Sequence, residues 1–281
     1  MDVFPNFGGL SGIGDLKTVI GATLTIVLVI AVLMIIFSAI IWAIATSTGN
    51  YSAAGKGRAG VLIAALLVVI HLGTSVLCWV AFALSQIFVI SNVAPDLKAQ
   101  AMSSYMDMLN RQAFGTYRDL LGAVTLHPAM GYYLNMLRSR KANEATGTHP
   151  NENYAREVLQ LFSIGLSQLN ADGSMRTGAN GQPLPTYDEA VVKGFARAFT
   201  GWSFGGQGNG SAGLFDSARI DLEANWTTPM LPFAAMHEAG PKQLLDGKVL
   251  PAGQSIDKDL NDALDQIAAH PNVGPFIGRQ L

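Results

Sequence analysis

The residues of this chain best suited to chemistry fall together, in Asn151-Glu-Asn-Tyr-Ala-Arg-Glu157. Glu152 and Glu157 supply two carboxylates, and Asn151, Asn153 and Arg156 place amides and a cation beside them, a set that could bind a polar substrate. His127 would add a base if the fold brings it near, an arrangement that a hydrolase could use. The same residues also have a structural use. A dense charged motif on one helical turn ties the start of that helix to its surroundings through hydrogen bonds and ion pairs. The catalytic reading needs an accessible pocket that gathers Glu152, Glu157 and His127; the scaffold reading needs them mutually satisfied.

Other chemistries find less support. The histidines are His71, His127, His149, His237 and His270, and no pair has metal-ligand spacing, so no metal is expected. The single cysteine, Cys78, excludes an internal disulfide and reads as a small buried hydrophobe within an apolar run. No Gly-x-Ser-x-Gly elbow is present. The glycine-rich stretch Gly201 to Gly213 follows no strand and closes on no Gly-Lys-Ser, so it reads as a loop rather than a phosphate cradle. No cofactor is expected. Trp202, Trp226 and Phe233 read as core or loop anchors rather than a sugar platform.

The elements that would position these groups are split by composition. Only 14% of residues are charged, against roughly 25% in ordinary globular chains. The deficit is local: before Asp96 the charged side chains are Asp2, Asp15, Lys17, Lys56 and Arg58. A net charge of −2 argues against a nucleic-acid partner, because nothing would neutralise a run of phosphates. Thr18 to Thr46 carries no charge and has no polar face, and it exceeds the ~20 residues that cross a bilayer core. A cleavable signal would have a basic start and a shorter apolar region. After a polar stretch from Ser47 to Gly60, a second span fits Val61 to Val80. The expectation is a transmembrane hairpin whose partner is the lipid bilayer, with other membrane subunits able to pack against it. Lys56 and Arg58 bias the loop to the cytoplasm and both termini to the outside. His71 falls inside the second span, either as a functional group or bonded to a neighbouring hydroxyl near its end.

Past residue 90 the pattern is that of a helical domain. Ala99 to Arg111, with Met102, Met106 and Leu109 as a core stripe, Tyr117 to Val124, and Tyr132 to Leu137 read as helices. Pro150 to Ile164 is the clearest, opened by Pro150 and stopped by Gly165, with Tyr154, Val158, Leu161 and Phe162 on one face. Asn170 to Ser174 and Asn180 to Pro183 are turns flanking a small hairpin. Thr186-Tyr-Asp-Glu189 reads as a capping box that opens a helix through Phe195 and Phe199, and Asp257 to His270 gives a last amphipathic helix.

Two stretches resemble known families. Met1-Asp-Val-Phe-Pro-Asn-Phe-Gly-Gly-Leu10, Asp15-Leu-Lys17 and Gly49-Asn-Tyr51 leading to Lys56-Gly-Arg58 resemble small two-span, pilin-like membrane proteins of actinobacterial conjugative elements, over about residues 1 to 75. His127-Pro-Ala-Met130, Asn151 to Glu157 with Leu159-Gln-Leu-Phe162 and Gly165, Phe195-Ala-Arg-Ala-Phe-Thr-Gly-Trp202, and His270-Pro-Asn-Val-Gly-Pro-Phe276 resemble the bacterial family called domain of unknown function 1800. Val80 to Ser91 is similar to the same family. That resemblance implies a helical, commonly exported protein and supplies no catalytic residue. It also implies that residues 80–281 are part of a longer family pattern. The two resemblances meet near Val80 inside an apolar run, with no Gly, Ser or Pro linker. That leaves an authentic fusion and a chimera without a function of its own both open; one continuous reading frame across the junction in source DNA would rule out the chimera. The expected architecture is all-α: a hairpin at 1–79 in the bacterial cytoplasmic membrane, then an extracytoplasmic helical domain at 80–281.

Overall fold

The computed structural model describes residues 13–92, 97–205, 214–217 and 224–281, with the backbone alone for 13–25, 27, 71, 72, 74, 75, 214, 217 and 224. The Met1 to Leu10 text, the His71 side chain and 206–213 of the glycine-rich stretch lie outside the described residues. The chain divides into two compact units, Met1–Trp79 and Val80–Leu281.

Helix α1 spans Ile13–Ser47 and α2 spans Tyr51–Ile87. The short polar stretch expected as the hairpin loop shrinks to a turn at 48–50. Gly49 there takes φ +74°, and the Asn50 side chain accepts the Ala53 amide at 3.1 Å. Ala53, Ala54 and Ala59 then favour helix, so Lys56 and Arg58 ride on the first turns of α2 instead of in a loop. Small residues form the seam between the two helices: Ala31, Ala45 and Ala64 are buried. A Cβ on Gly57 would lie 2.7 Å from the Trp42 amide nitrogen, and one on Gly60 would lie 2.9 Å from Ser38 Cβ. Such small residues let the two backbones approach closely.

The outer face of this pair is apolar, with Ile30, Phe37, Ile44, Leu66 and Val69 all exposed. Two 20-residue stretches, Leu28–Ser47 and Tyr51–Ile70, are long and apolar enough to cross a membrane, and only 11% of each is buried. The second begins ahead of the expected Val61 because α2 itself begins at Tyr51. Cys78, expected to be buried, is exposed. An apolar run implies burial in protein only when protein surrounds it, and here the helix surface turns outward.

The second unit is mostly helical. Helix α3 covers Ala99–Gln112, α4 Tyr117–Leu126, α5 Pro128–Tyr133, α6 Asn153–Gln160 and α7 Glu189–Ala198. Strand β1, Trp202–Ser203, pairs antiparallel with β2, Leu231–Pro232; between them come the short helices α8, Leu214–Ser217, and α9, Ala224–Thr227. Strand β3, Lys242–Gln243, pairs antiparallel with β4, Val249–Leu250, before α10, Ile256–Ala269, and α11, Val273–Gln280.

Local chemistry sets the helix boundaries. Thr116, Asp188 and Ser255 each accept an amide of the first turn that follows, at 3.1, 3.0 and 3.3 Å. Asp188 is therefore the cap that the sequence assigned to Thr186, whose hydroxyl instead donates to the Gly165 carbonyl. Pro150 lies outside α6, because the Asn151 side chain accepts the Asn153 amide at 2.9 Å and starts the helix there. The helix expected from Tyr132 begins earlier, at Pro128, and left-handed backbone at Asn135 and Arg138 ends any continuation.

One core unites these pieces. Helix α7 packs against α6, α10 and β3, while α4 packs against α3, α5 and α10. The buried side of α3 is Ala101, Tyr105, Met108 and Leu109, with Met102 and Met106 only flanking it, a rotation from the expected stripe. Aromatic rings fill the centre: Tyr154 meets Phe199 edge-on at 5.4 Å, and Phe204 meets Trp226 at 5.1 Å. Trp202, Trp226 and Phe233 are buried, as core anchors should be. Between α6 and α7, the stretch 167–185 folds back on itself through isolated bridges, Ser167 to Pro185, Leu169 to Met175 and Thr177 to Pro183. Asn272 fastens that stretch. Its amide nitrogen donates to the carbonyls of Ile164 and Ser167 at 2.6 and 2.9 Å, and its oxygen accepts the Leu169 amide at 2.7 Å.

Candidate functional site

The start of α6 is held by its own polar residues. The Asn151 amide donates to Ser139 Oγ at 3.0 Å, and Asn153 contributes the backbone amide that Asn151 caps. One turn on, Arg156 donates to Glu152 at 3.0 Å and reaches across to α7, where its two terminal nitrogens meet both oxygens of Glu189 at 3.0 and 3.2 Å. The fork is planar against planar, the geometry that suits guanidinium and carboxylate. Hydrogen bonds from Arg156 hold the Glu189 carboxyl below its ordinary range. Arg156 remains 40% exposed, so the fork registers α6 on α7 more than it stabilises the fold. Glu157 takes no part in it. Burial pushes its carboxyl up, against the pull of Arg156.

His127 lies elsewhere, at the junction of α4 and α5. Its Nδ1 accepts the Ala129 amide at 3.2 Å, and its Nε2 stands 3.2 Å from Ser104 Oγ. Tyr105 packs edge-on to the ring at 5.1 Å, and the residue is 7% exposed. With Nδ1 accepting, Nε2 carries the proton and donates to Ser104. Among the described residues no hydrogen bond or ion pair joins His127 to Glu152, Arg156 or Glu157. The structure thus joins Asn151, Glu152, Asn153 and Arg156 at one helix start and places His127 in a separate, satisfied pocket.

Burial lowers the His127 pKa from 6.5 to about 4, with the Ser104 hydrogen bond opposing. Below about 6.5 an unfolded chain takes up a proton that the folded ring refuses. Stability is therefore unaffected above that pH and falls between about 6.5 and 4, by at most ~3 kcal/mol. His127→Asn keeps a cap on α5 while removing the titration. Denaturation at pH 7 and pH 4.5 should show a weaker pH dependence in the variant, and an unchanged dependence would contradict the assignment.

A cleft of about 520 Å³ opens beside this helix start, lined by Ala142, His149, Pro150, Glu152, Lys193, Ala196, Arg197 and Glu238. Lys193 and Arg197 stand one helical turn apart on α7, continuing the line begun by Glu189. Burial favours the neutral form of Glu238, but the amides of Gly240 and Ala142, at 3.1 and 3.4 Å, together with Arg197 at 3.6 Å, outweigh it and hold the carboxyl low. Sequence reasoning found Glu152 here and missed the rest. The Glu189, Lys193, Arg197 spacing was readable as one helix face, whereas Glu238 arrives from a loop with no marker.

A second polar cluster was also missed. Asp259 Oδ2 accepts from Lys242 at 2.6 Å and lies 2.8 Å from His237 Nε2. Its other oxygen accepts from Gln254 at 2.9 Å. His237 Nδ1 is 2.9 Å from the Thr200 carbonyl, and Lys242 donates to the Gly240 carbonyl at 2.9 Å. Lys242 and Asp259 are wholly buried, so this trio is a sealed knot in the core rather than a reachable site. Among the described residues no group of three metal-ligating side chains occurs.

A mostly helical domain preceded by two helices of membrane-crossing length is the class of protein that the fold defines. A family model described as Protein of unknown function (DUF1800) matches residues 65–281, and the chain belongs to that family. A second model, described as Family of unknown function (DUF6112), matches residues 1–87, so the two matches share 65–87. No curated protein and no solved structure matches the chain.

Proposed function

We propose that the chain is a bacterial membrane-anchored, non-enzymatic component whose hairpin holds the helical domain outside the cytoplasm. The observation that carries this reading is the low burial of the two apolar stretches, 11% each. A core helix of a soluble protein covers its apolar side with protein. These helices meet each other along a seam of small residues and leave Ile, Leu, Val and Phe facing outward, which a bilayer would solvate. Lys56 and Arg58, close to the turn at 48–50, support a cytoplasmic turn and extracytoplasmic ends. The resemblance of residues 1 to 75 to pilin-like two-span proteins points to other membrane subunits as partners of the outer face. An enzymatic role for Glu152, Glu157 and His127 draws no support from geometry, since both ring nitrogens of His127 are engaged away from α6.

The test is fractionation of expressing cells with protease added to intact spheroplasts. The expected result is membrane recovery and cleavage of residues 97–281 from outside. Recovery in the soluble fraction, or cleavage only after the membrane is opened, would reject the anchor or its orientation.

A further inference from the structure

Two cations of the hairpin have no acid within reach. Lys56 and Arg58 sit exposed on the first turns of α2. Between Asp15 and Asp96 the sequence holds no Asp or Glu. Asp15 itself lies roughly 40 Å along α1 from Trp42, the residue that meets this level of α2. The placement of the two cations follows from Gly57. That glycine is buried against the backbone of Ser38 and Trp42, so the residues on either side of it are each turned about 100° away from the seam, one to each flank. A positive group therefore stands on both flanks of the helix pair, level with Trp42, which is itself exposed.

The helix lengths fix where a bilayer surface would cross. A membrane core filling Tyr51–Ile70 would hold both cations more than one helical turn inside hydrocarbon, where a charge is costly. A core that begins at Arg58 avoids that cost. From Arg58 the helix rises roughly 32 Å to Trp79, close to the ~30 Å of a hydrocarbon core, and Trp79 is exposed. On α1 the uncharged stretch from Thr18 to Trp42 rises roughly 36 Å and reaches across the same layer. Tryptophan then marks both boundaries, the position its amphipathic ring favours. At the turn end the long stems of Lys56 and Arg58 carry their charges out to the headgroups. No acid of the chain neutralises them there, and an anionic headgroup does.

We infer that the turn end of the hairpin, with Lys56 and Arg58 flanking Trp42, is a girdle that binds anionic lipid headgroups, and that the bilayer core lies between this girdle and Trp79. The inference rests on the membrane reading above and names the lipid partner of the turn end. Every residue in it belongs to the first unit.

The test is electron paramagnetic resonance on the full chain in phosphatidylcholine nanodiscs, with spin-labelled phosphatidylglycerol and spin-labelled phosphatidylcholine as separate probes. The phosphatidylglycerol label should be enriched in the motionally restricted shell around the protein, by about fivefold at the position beside each cation. Lys56→Gln combined with Arg58→Gln should remove most of that enrichment, and both residues are exposed, so the helix pair survives the change. In the wild type, rising potassium chloride should also reduce it. The membrane boundary is read separately: Val76→Cys in a Cys78→Ala background should react with a charged maleimide only after detergent is added. Reaction before detergent overturns the placement of the core, and an enrichment that is absent, or unchanged in the double variant, overturns the girdle. A chain that enters the discs and gives these results defeats this inference alone. One that stays soluble without lipid or detergent defeats the membrane reading with it.

Discussion

Gly194→Ala should cost the second unit about 3 kcal/mol or more, the upper end of what an added methyl does in a packed core. Helix α7 crosses β3 at this glycine, and a Cβ would overlap the Gln243 carbonyl oxygen and sit 2.6 Å from its carbon and 3.2 Å from the Gln243 nitrogen. All three atoms are backbone, so no rotamer change relieves the clash. Nor can β3 retreat, because Leu244 and Leu245 beside it are fully buried. Gly253 provides the control. It has φ +79°, and a Cβ there would meet nothing within 4 Å, so Gly253→Ala incurs only backbone strain of about 1 kcal/mol. Denaturant midpoints of the two variants should separate clearly. If Gly194→Ala proves no more harmful than Gly253→Ala, the close approach of α7 to β3 is wrong.

Asp259→Ala should be as damaging, at about 3–5 kcal/mol, because it leaves the Lys242 ammonium buried without its counter-ion. Both carboxylate oxygens are in use, one toward Lys242 and His237 and one toward Gln254, so the loss reaches three residues at once. Replacing the pair together, with Lys242→Met and Asp259→Leu, removes the stranded charge and should recover much of the loss. Thermal unfolding of the single and double variants measures the coupling directly. Additive losses would show that the pair is not a unit in the folded protein.

The fold was legible where one residue face decides an element. Leu260, Leu264 and Ile267 repeat at helical spacing, and α10 forms within one residue of the bounds they imply. The membrane-length helices were legible for the same reason, since an uncharged run needs no tertiary information. Boundaries failed where two residues compete for one role: Thr186 and Asp188 both offer an oxygen to the start of α7, and only the position of the Gly165 carbonyl decides between them. At the candidate site, Glu152 and Arg156 were legible because an i,i+4 pair is local. The pairing of Arg156 with Glu189, the arrival of Glu238 and the Lys242, Asp259, His237 knot were not, because each depends on segments brought together across the fold.

The same contrast between near and distant contacts fixes when each part of the chain can be finished during synthesis. The seam of the first unit joins Ser38 and Trp42 to Gly57 and Gly60, so its contacts are complete once α2 has emerged. The knot of the second unit needs Thr200, His237, Lys242 and Asp259 together, and α7 has an open flank until α10 exists to cover it. At ribosomal elongation rates of roughly 5–20 residues per second the interval between Ile87 and Asp259 is on the order of ten seconds. Throughout that interval a finished hairpin trails an unfinished domain with its aromatic core uncovered, the stage of this protein's life at which a holding chaperone has the most to protect.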